Sequence, residues 1–490
     1  MDKLLGFLPD VEDTTPGVMT GCTNMIPSEN GMKAAPSAVA PTGVPALADT
    51  CIGSATVTKL DDTRRIFAGT TSKLYELSGG SWVDVSTGSY TGGVDSRWSF
   101  TQFGNATLAA NLADTIQRSN STGAFSPIAG APKAKIVFAV GTQVMALNTN
   151  DGAVKQNGWH CCASFNDTDW TPSVSTLATS GQLVSTPGQI TAGGRLGEYA
   201  VAYKERAIYL GQFVDAPVVW QWTPIVGGAG CVGQDAWCDI DGAHFVVGPD
   251  SFWLFDGSRP KPLGWGKNRQ WFYDNSNPSL RSKIQCAYDK QNGHVWVFYA
   301  SKNSSTLDSA LVYHVAQDKW GFVSIAIESS MSYVAPGVTI DGLNAIAPTI
   351  DNLGAYSFDS QYWVTGGRAL SVFQSKQLKT LTGVAGTSGF VTGDAGDDDV
   401  YSFLSAIRLR FAPNSKPSTA SVQVFGKAES GETLATGPTA TMQDGKFDVM
   451  QSARFHRAAF TFTGDCDCIG IGAVLIPCLL YTSDAADERS

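Results

Sequence analysis

His244-Phe245-Val246-Val247-Gly248, then Pro249-Asp250, then Phe252-Trp253-Leu254-Phe255-Asp256-Gly257 is the stretch that decides the fold. Two apolar runs of strand length flank a Pro-Asp turn, and each run stops at glycine. Valine and aromatic residues fit a pleated, half-buried surface, whereas Pro, Asp and Gly turn the chain. A lone hairpin of this kind cannot bury both of its faces, so it calls for neighbours built the same way.

Such neighbours occur on both sides. Arg65-Ile66-Phe67-Ala68-Gly69-Thr70, Lys73-Leu74-Tyr75-Glu76-Leu77 and Ser81-Trp82-Val83-Asp84-Val85-Ser86 read as three strands joined by turns, the second turn being Gly79-Gly80. Lys135 to Val140 and Gln143 to Leu147 form another unit, which ends at Asp169-Trp170-Thr171-Pro172. Tyr199 to Tyr203 and Ala207 to Gly211 lead to Val219-Trp220-Gln221-Trp222-Thr223-Pro224. Lys283 to Tyr288, Val295 to Tyr299 and Leu311 to His314 lead to Asp318-Lys319-Trp320-Gly321-Phe322. Units are expected to start near Ala55, Trp98, Lys135, Tyr199, Ala243 and Gln285, with a last one near Leu343. That spacing is close to the roughly 40–50 residues of a propeller blade. Radial stacking buries one face of each unit on the next and leaves short edges. The expected fold is all-β: a six- or seven-bladed β-propeller over residues 51–370.

The flanks read differently. Residues 1–50 carry Pro9, Pro16, Pro27, Pro36, Pro41 and Pro45, which suit neither helix nor ladder, so an extended N-terminal arm is expected there. Residues 371–477 hold alternating runs at Ala406 to Phe411, Ser421 to Phe425 and Phe455 to Phe462. Period-two alternation marks a C-terminal antiparallel β-domain, sandwich-like, with one face exposed. Residues 478–490, Cys478 to Ser490, break this pattern. Their back-translation with permitted codons gives a transposase sequencing adapter read in frame, so they are expected to be an artefact standing where native sequence is missing.

Charged residues are 16% of the chain, below the roughly 25% of ordinary globular proteins. The formal net charge of −10 does not suit a surface that grips nucleic acid, although it permits a channel through which DNA slides. The segment Met1-Asp2-Lys3-Leu4-Leu5-Gly6-Phe7-Leu8 lacks the basic start and apolar length of a signal peptide, and no apolar window is long enough for a membrane helix. Ten cysteines, including Cys161-Cys162 and Cys466-Asp467-Cys468, have neither zinc nor disulfide-framework spacing and are expected as reduced, buried thiols.

No catalytic constellation stands out. His160, His244, His294, His314 and His456 fall in no metal-ligand spacing, and strand histidines with satisfied rings are expected. Ser164-Phe165-Asn166-Asp167-Thr168-Asp169-Trp170 resembles the Asp-box of sialidase-type propellers, a structural turn, but lacks its glycine. Sialidase chemistry needs three convergent arginines. Arg97, Arg118, Arg195, Arg206, Arg259, Arg281 and Arg368 are available, with nothing in linear sequence to select among them. Asp397-Asp398-Asp399 lacks the spaced ligands of a calcium loop, and Gly227-Gly228-Ala229-Gly230 lacks the Lys-Ser/Thr of a phosphate loop. The expectation is no catalytic, cofactor-binding or metal residue, and no enzyme activity.

Gly230-Cys231-Val232-Gly233, Asp241-Gly242, Phe245 to Gly248 and Phe252 to Gly257 resemble tail nozzle or tail hub structural proteins of short-tailed bacteriophages. So do Gly197-Glu198-Tyr199 with Ile208 to Gly211, and Asp167 to Pro172. The opening Pro9-Asp10, Pro16-Gly17 and Asn24-Met25-Ile26-Pro27 with Gly31, and the later Arg454-Phe455-His456-Arg457, are similar to the same family. The resemblance runs over most of residues 1–477. It implies a virion protein of the phage tail, made in the host bacterial cytoplasm. It implies a homo-oligomer of six copies below the portal and adaptor ring, contacting tail fibre or spike proteins, with DNA passing through the lumen without sequence-specific binding. The competing readings are a receptor- or glycan-binding propeller and a propeller hydrolase.

Overall fold

The computed structural model describes residues 2–93, 95–334 and 368–477, and the adapter-like segment 478–490 lies outside them. The protein is all-β, a propeller with additional sheets built from its two ends. Six blades are free-standing four-stranded antiparallel sheets. A seventh four-stranded meander of the same kind opens a larger, ten-stranded sheet.

In chain order the innermost strands of blades 1 to 7 are Gly53–Thr58, Ser99–Phe103, Lys133–Val140, Ile190–Leu196, Trp237–Asp239, Gln285–Asp289 and Ser329–Val334. An apolar cluster fills each junction between successive blades. Phe67, Trp98 and Phe125 sit between blades 1 and 2, Leu108 and Val144 between 2 and 3, and Leu147 and Tyr209 between 3 and 4. A larger cluster with Tyr203, Phe245 and Trp320 covers the two junctions on either side of blade 5. Phe298 and Val372 join blades 6 and 7, and Ile66 with Phe373 closes blade 7 on blade 1. Each aromatic ring buried in this way contributes roughly 1.5–3 kcal/mol.

Two unit starts lie further along the chain than the blades they mark. Tyr199 opens the second strand of blade 4, and Ala243 precedes the second strand of blade 5. The innermost strands there, Ile190–Leu196 and Trp237–Asp239, carry little apolar signal because space is short near the axis. A Cβ on Gly193 would lie 2.3 Å from Leu147, and one on Gly194 would lie 2.1 Å from the Trp237 ring. The last unit, expected near Leu343, falls outside the described residues. Blade 7 is instead drawn from 329–334, 368–374 and 377–383.

Residues 2–50 do not form a separate arm. Their strands are β1 (Asp2–Lys3), β2 (Gly6–Phe7), β3 (Val18–Thr23), β4 (Met25–Pro27), β5 (Met32–Ala34) and β6 (Ser37–Val39). β6 is the outer strand of blade 7, paired with Gln377–Gly383, so the ring is closed by the N-terminal part of the chain. β2 and β3 enter a seven-stranded sheet, where β3 pairs with Thr387–Thr392. β4 and β5 bridge the outer strand of blade 6, Lys319–Ile327, to the C-terminal strand Asp467–Pro477. The prolines fit because Pro9 and Pro16 lie in turns, Pro36, Pro41 and Pro45 lie between strands, and Pro27 ends the three-residue strand β4.

The C-terminal strands form two facing sheets with Met19, Met25, Met32, Phe390, Ile407, Phe447 and Phe460 between them. Ser402–Phe411, Thr419–Lys427 and Phe455–Thr463 alternate buried and less buried residues, as the period-two reading of this block expected. The boundary at 370/371 moves, because Gln377–Gly383 belongs to blade 7 and the sandwich takes up the chain again at Thr387.

Candidate functional site

Seven innermost strands begin at one end of the propeller axis, and the residues at those beginnings are polar. Ser54, Arg97, Lys135, Gln189, Asp235, Gln285 and Ser329 come from blades 1 to 7 in turn and line two adjoining cavities of about 140 and 180 Å³ that share Arg97. Asn111, just after the second strand of blade 2, and Asn148 and Gln156, on the second and third strands of blade 3, also line the smaller one.

Arg97 lies across the division between the cavities. Its Nε donates to Asp235 Oδ2 at 2.5 Å, from the lead-in of blade 2 to that of blade 5. The two side chains are 15% and 34% exposed, so solvent only partly screens the pair. Asp235 is held by its backbone, whose carbonyl accepts from Cys286 N at 2.7 Å. Gln234 Nε2 donates to the Arg97 carbonyl at 3.4 Å. Next to them Lys283 Nζ reaches Asp95 Oδ1 at 2.8 Å. Burial lowers the Lys135 ammonium below its usual range, and the Asp235 carboxylate opposes that shift.

The lead-ins pack closely enough to require glycine. A Cβ on Gly230 would lie 2.2 Å from the Glu205 carbonyl oxygen, and one on Gly233 would lie 2.2 Å from that of Ser282. The glycine-rich run 227–230 is a connection between blades 4 and 5.

Of the seven arginines considered for a sialidase-like triad, only Arg97 lines these cavities. Arg118 makes a two-pronged pair with Asp167 of the Asp-box-like turn, at 2.6 and 3.3 Å. That turn lies between the third and outer strands of blade 3, and Trp170 Nε1 closes it onto the Asp167 carbonyl at 2.9 Å. Arg206 pairs with Asp250, and Arg281 donates to the Tyr273 carbonyl.

The histidines are held in strands and turns. His244 Nε2 donates to the Arg195 carbonyl at 3.0 Å, and the Tyr203 hydroxyl lies 2.8 Å from Nδ1. Burial lowers its proton affinity, so the ring is neutral and Nδ1 accepts from the hydroxyl. His294 Nε2 donates to the Pro27 carbonyl at 2.9 Å, and burial takes its pKa down to about 3. His160 faces the Trp170 carbonyl, His456 faces Ser402, and His314 Nδ1 accepts from Gln317 N.

The nine described cysteines are free thiols. Burial pushes Cys22, Cys51, Cys161, Cys162, Cys231 and Cys468 up to about 12. No group of three or more His, Cys, Asp or Glu side chains suited to a metal ion occurs among the described residues. Asp397, Asp398 and Asp399 form an exposed bend.

A further cavity of about 230 Å³ lies in the sandwich under residues 14–18. Beside it Asp394, almost fully buried, takes Arg457 Nε at 2.7 Å and Lys427 Nζ at 2.6 Å, and Arg457 also binds Asp13. Arg457 of the Arg454–Arg457 run thereby fastens the N-terminal segment to the sandwich.

No family model and no curated protein matches this chain. Among solved structures it is similar to YCF48 bound to D1 peptide, at 13% identity over 61% of this chain and 86% of that one, TM-score 0.35. It is also similar to PorZ of the type-IX secretion system of Porphyromonas gingivalis, at 10% identity over 83% and 53%, TM-score 0.38. The computationally designed Ika8 protein aligns at 9% identity over 69% and 98%, TM-score 0.37. No helix among the described residues is long and apolar enough to cross a membrane.

Proposed function

We propose that this chain is a structural protein of a bacteriophage tail, a nozzle or hub subunit that forms a ring below a portal–adaptor platform. The observation that supports this most is the continuous ten-stranded sheet running from blade 6 through β4 and β5 into the sandwich. A sheet shared between two lobes resists their relative rotation, which suits a subunit that carries load in a ring. The resemblance in the blade connections and in the N-terminal segment supports the same reading. Six copies, contact with fibre or spike proteins, and passage of DNA through the lumen belong to this proposal.

Edge strands Ala435–Thr441 and Lys446–Ala453 each pair on one side only among the described residues and leave backbone groups for a neighbouring copy. The test is to mix the purified chain with its neighbouring adaptor ring and image the product by electron microscopy. A closed ring with an open centre is expected. Single copies attached side-on would overturn the ring and leave a receptor-binding propeller. That second reading draws on one observation, the polar axial mouth with Trp237 at its wall.

A further inference from the structure

We infer that the axial mouth is a binding site for a small oxyanion of the phosphate or sulfate class, held between Lys135 and Arg97. The smaller axial cavity is lined by two cationic side chains, Arg97 and Lys135, and by one carboxylate, Asp95, while Asp235 holds Arg97 from the adjoining cavity. Asp95 is engaged by Lys283. Asp235 alone therefore answers both cations, and the mouth keeps one positive charge in excess inside an acidic protein.

The donors there are under-used. Arg97 spends Nε on Asp235 and sets Nη1 at 3.5 Å from the Glu328 carbonyl, which leaves Nη2 without a hydrogen-bond partner among the described residues. Lys135, with three N–H donors, makes no hydrogen bond or ion pair to another described residue. A partly buried ammonium in that position is costly unless something supplies the missing acceptors. The amides of Gln156 and Gln189 line the same cavity. An oxyanion would accept from all four groups, and charge-assisted bonds are the strong ones.

Space and rigidity agree. About 140 Å³ is several times the ~30 Å³ share of one water molecule. Lys135 stands on an innermost strand and Arg97 is fixed by Asp235, so little ordering remains to be done on binding. The inference is independent of the tail reading, because it concerns one chain and needs no ring.

The experiment is calorimetric titration of the purified chain with inorganic phosphate, against chloride at equal ionic strength and pH. One saturable site is expected for phosphate and none for chloride. Lys135→Met should weaken binding at least about tenfold with an unchanged or higher urea midpoint, and Lys135→Arg should retain it. Lys302→Met, at an exposed turn of blade 6, should leave binding unchanged. Absence of saturable binding, or equal affinity in Lys135→Met, would overturn the site, and neither result bears on ring formation.

Discussion

Arg97 and Asp235 belong to blades 2 and 5, which are not neighbours in the ring, and their 2.5 Å contact spans the propeller axis. The pair therefore ties opposite sides of the ring at the end where the innermost strands begin. Asp235→Ala leaves the Arg97 and Lys135 charges together with no carboxylate between them. A loss of about 1–3 kcal/mol is expected, read as a lower urea midpoint at unchanged m. An unchanged midpoint would show that the contact does not brace the axis.

Deleting residues 1–39 removes β6 from blade 7 and both bridging strands between blade 6 and the sandwich. The truncated chain should aggregate or be degraded by protease at concentrations where the full chain is monodisperse, because Gln377–Gly383 becomes an open edge. Size-exclusion chromatography with limited proteolysis checks this. A folded, monodisperse truncation would show that β4, β5 and β6 are not needed to close the ring or hold the sandwich.

Stability should fall on acidification. Burial holds the folded-state proton affinity of His160, His244, His294 and His456 below the ordinary value, with His294 at about 3. The unfolded chain then binds more protons than the folded one below the ordinary histidine pKa of about 6.5. The histidine contribution is complete above that pH and is lost as pH falls from there toward 3. His294→Gln, which keeps a donor for the Pro27 carbonyl, should flatten the slope of urea midpoint against pH between about 6.5 and 4. An identical slope in the variant would remove His294 from the account.

Gly194 lies on the innermost strand of blade 4, where a Cβ would stand 2.1 Å from the Trp237 ring of blade 5. Gly194→Ala should cost about 1–3 kcal/mol by overpacking this junction. Trp237→Leu in the same chain should recover part of the loss, and a double-mutant cycle measures the coupling. Additive effects would mean that the two residues do not meet.

Much of the blade architecture was legible locally. His244–Val247 and Phe252–Phe255 are strands because valine and aromatic runs between Pro, Asp and Gly leave the chain few alternatives, and burying such hairpins requires stacking. The alternation in Thr419–Lys427 and Phe455–Thr463 announced a second β-unit in the same way. Blade starts were misplaced at Tyr199 and Ala243 because the innermost strands before them are glycine-rich or short, which weakens the apolar pattern.

The axial site was not legible. Arg97, Lys135 and Asp235 lie in three different blades, and nothing in the spacing of those residues distinguishes them from other surface charges. The same holds for β6 beside Gln377–Gly383 and for Phe322 opposite Met25. Local propensity and periodicity act between residues a few positions apart, so the sequence by itself determined the strands, the turns and the need for stacked blades. Only the tertiary structure decided which distant segment closes the ring and which charges meet on the axis, because those contacts form only when all the blades have stacked.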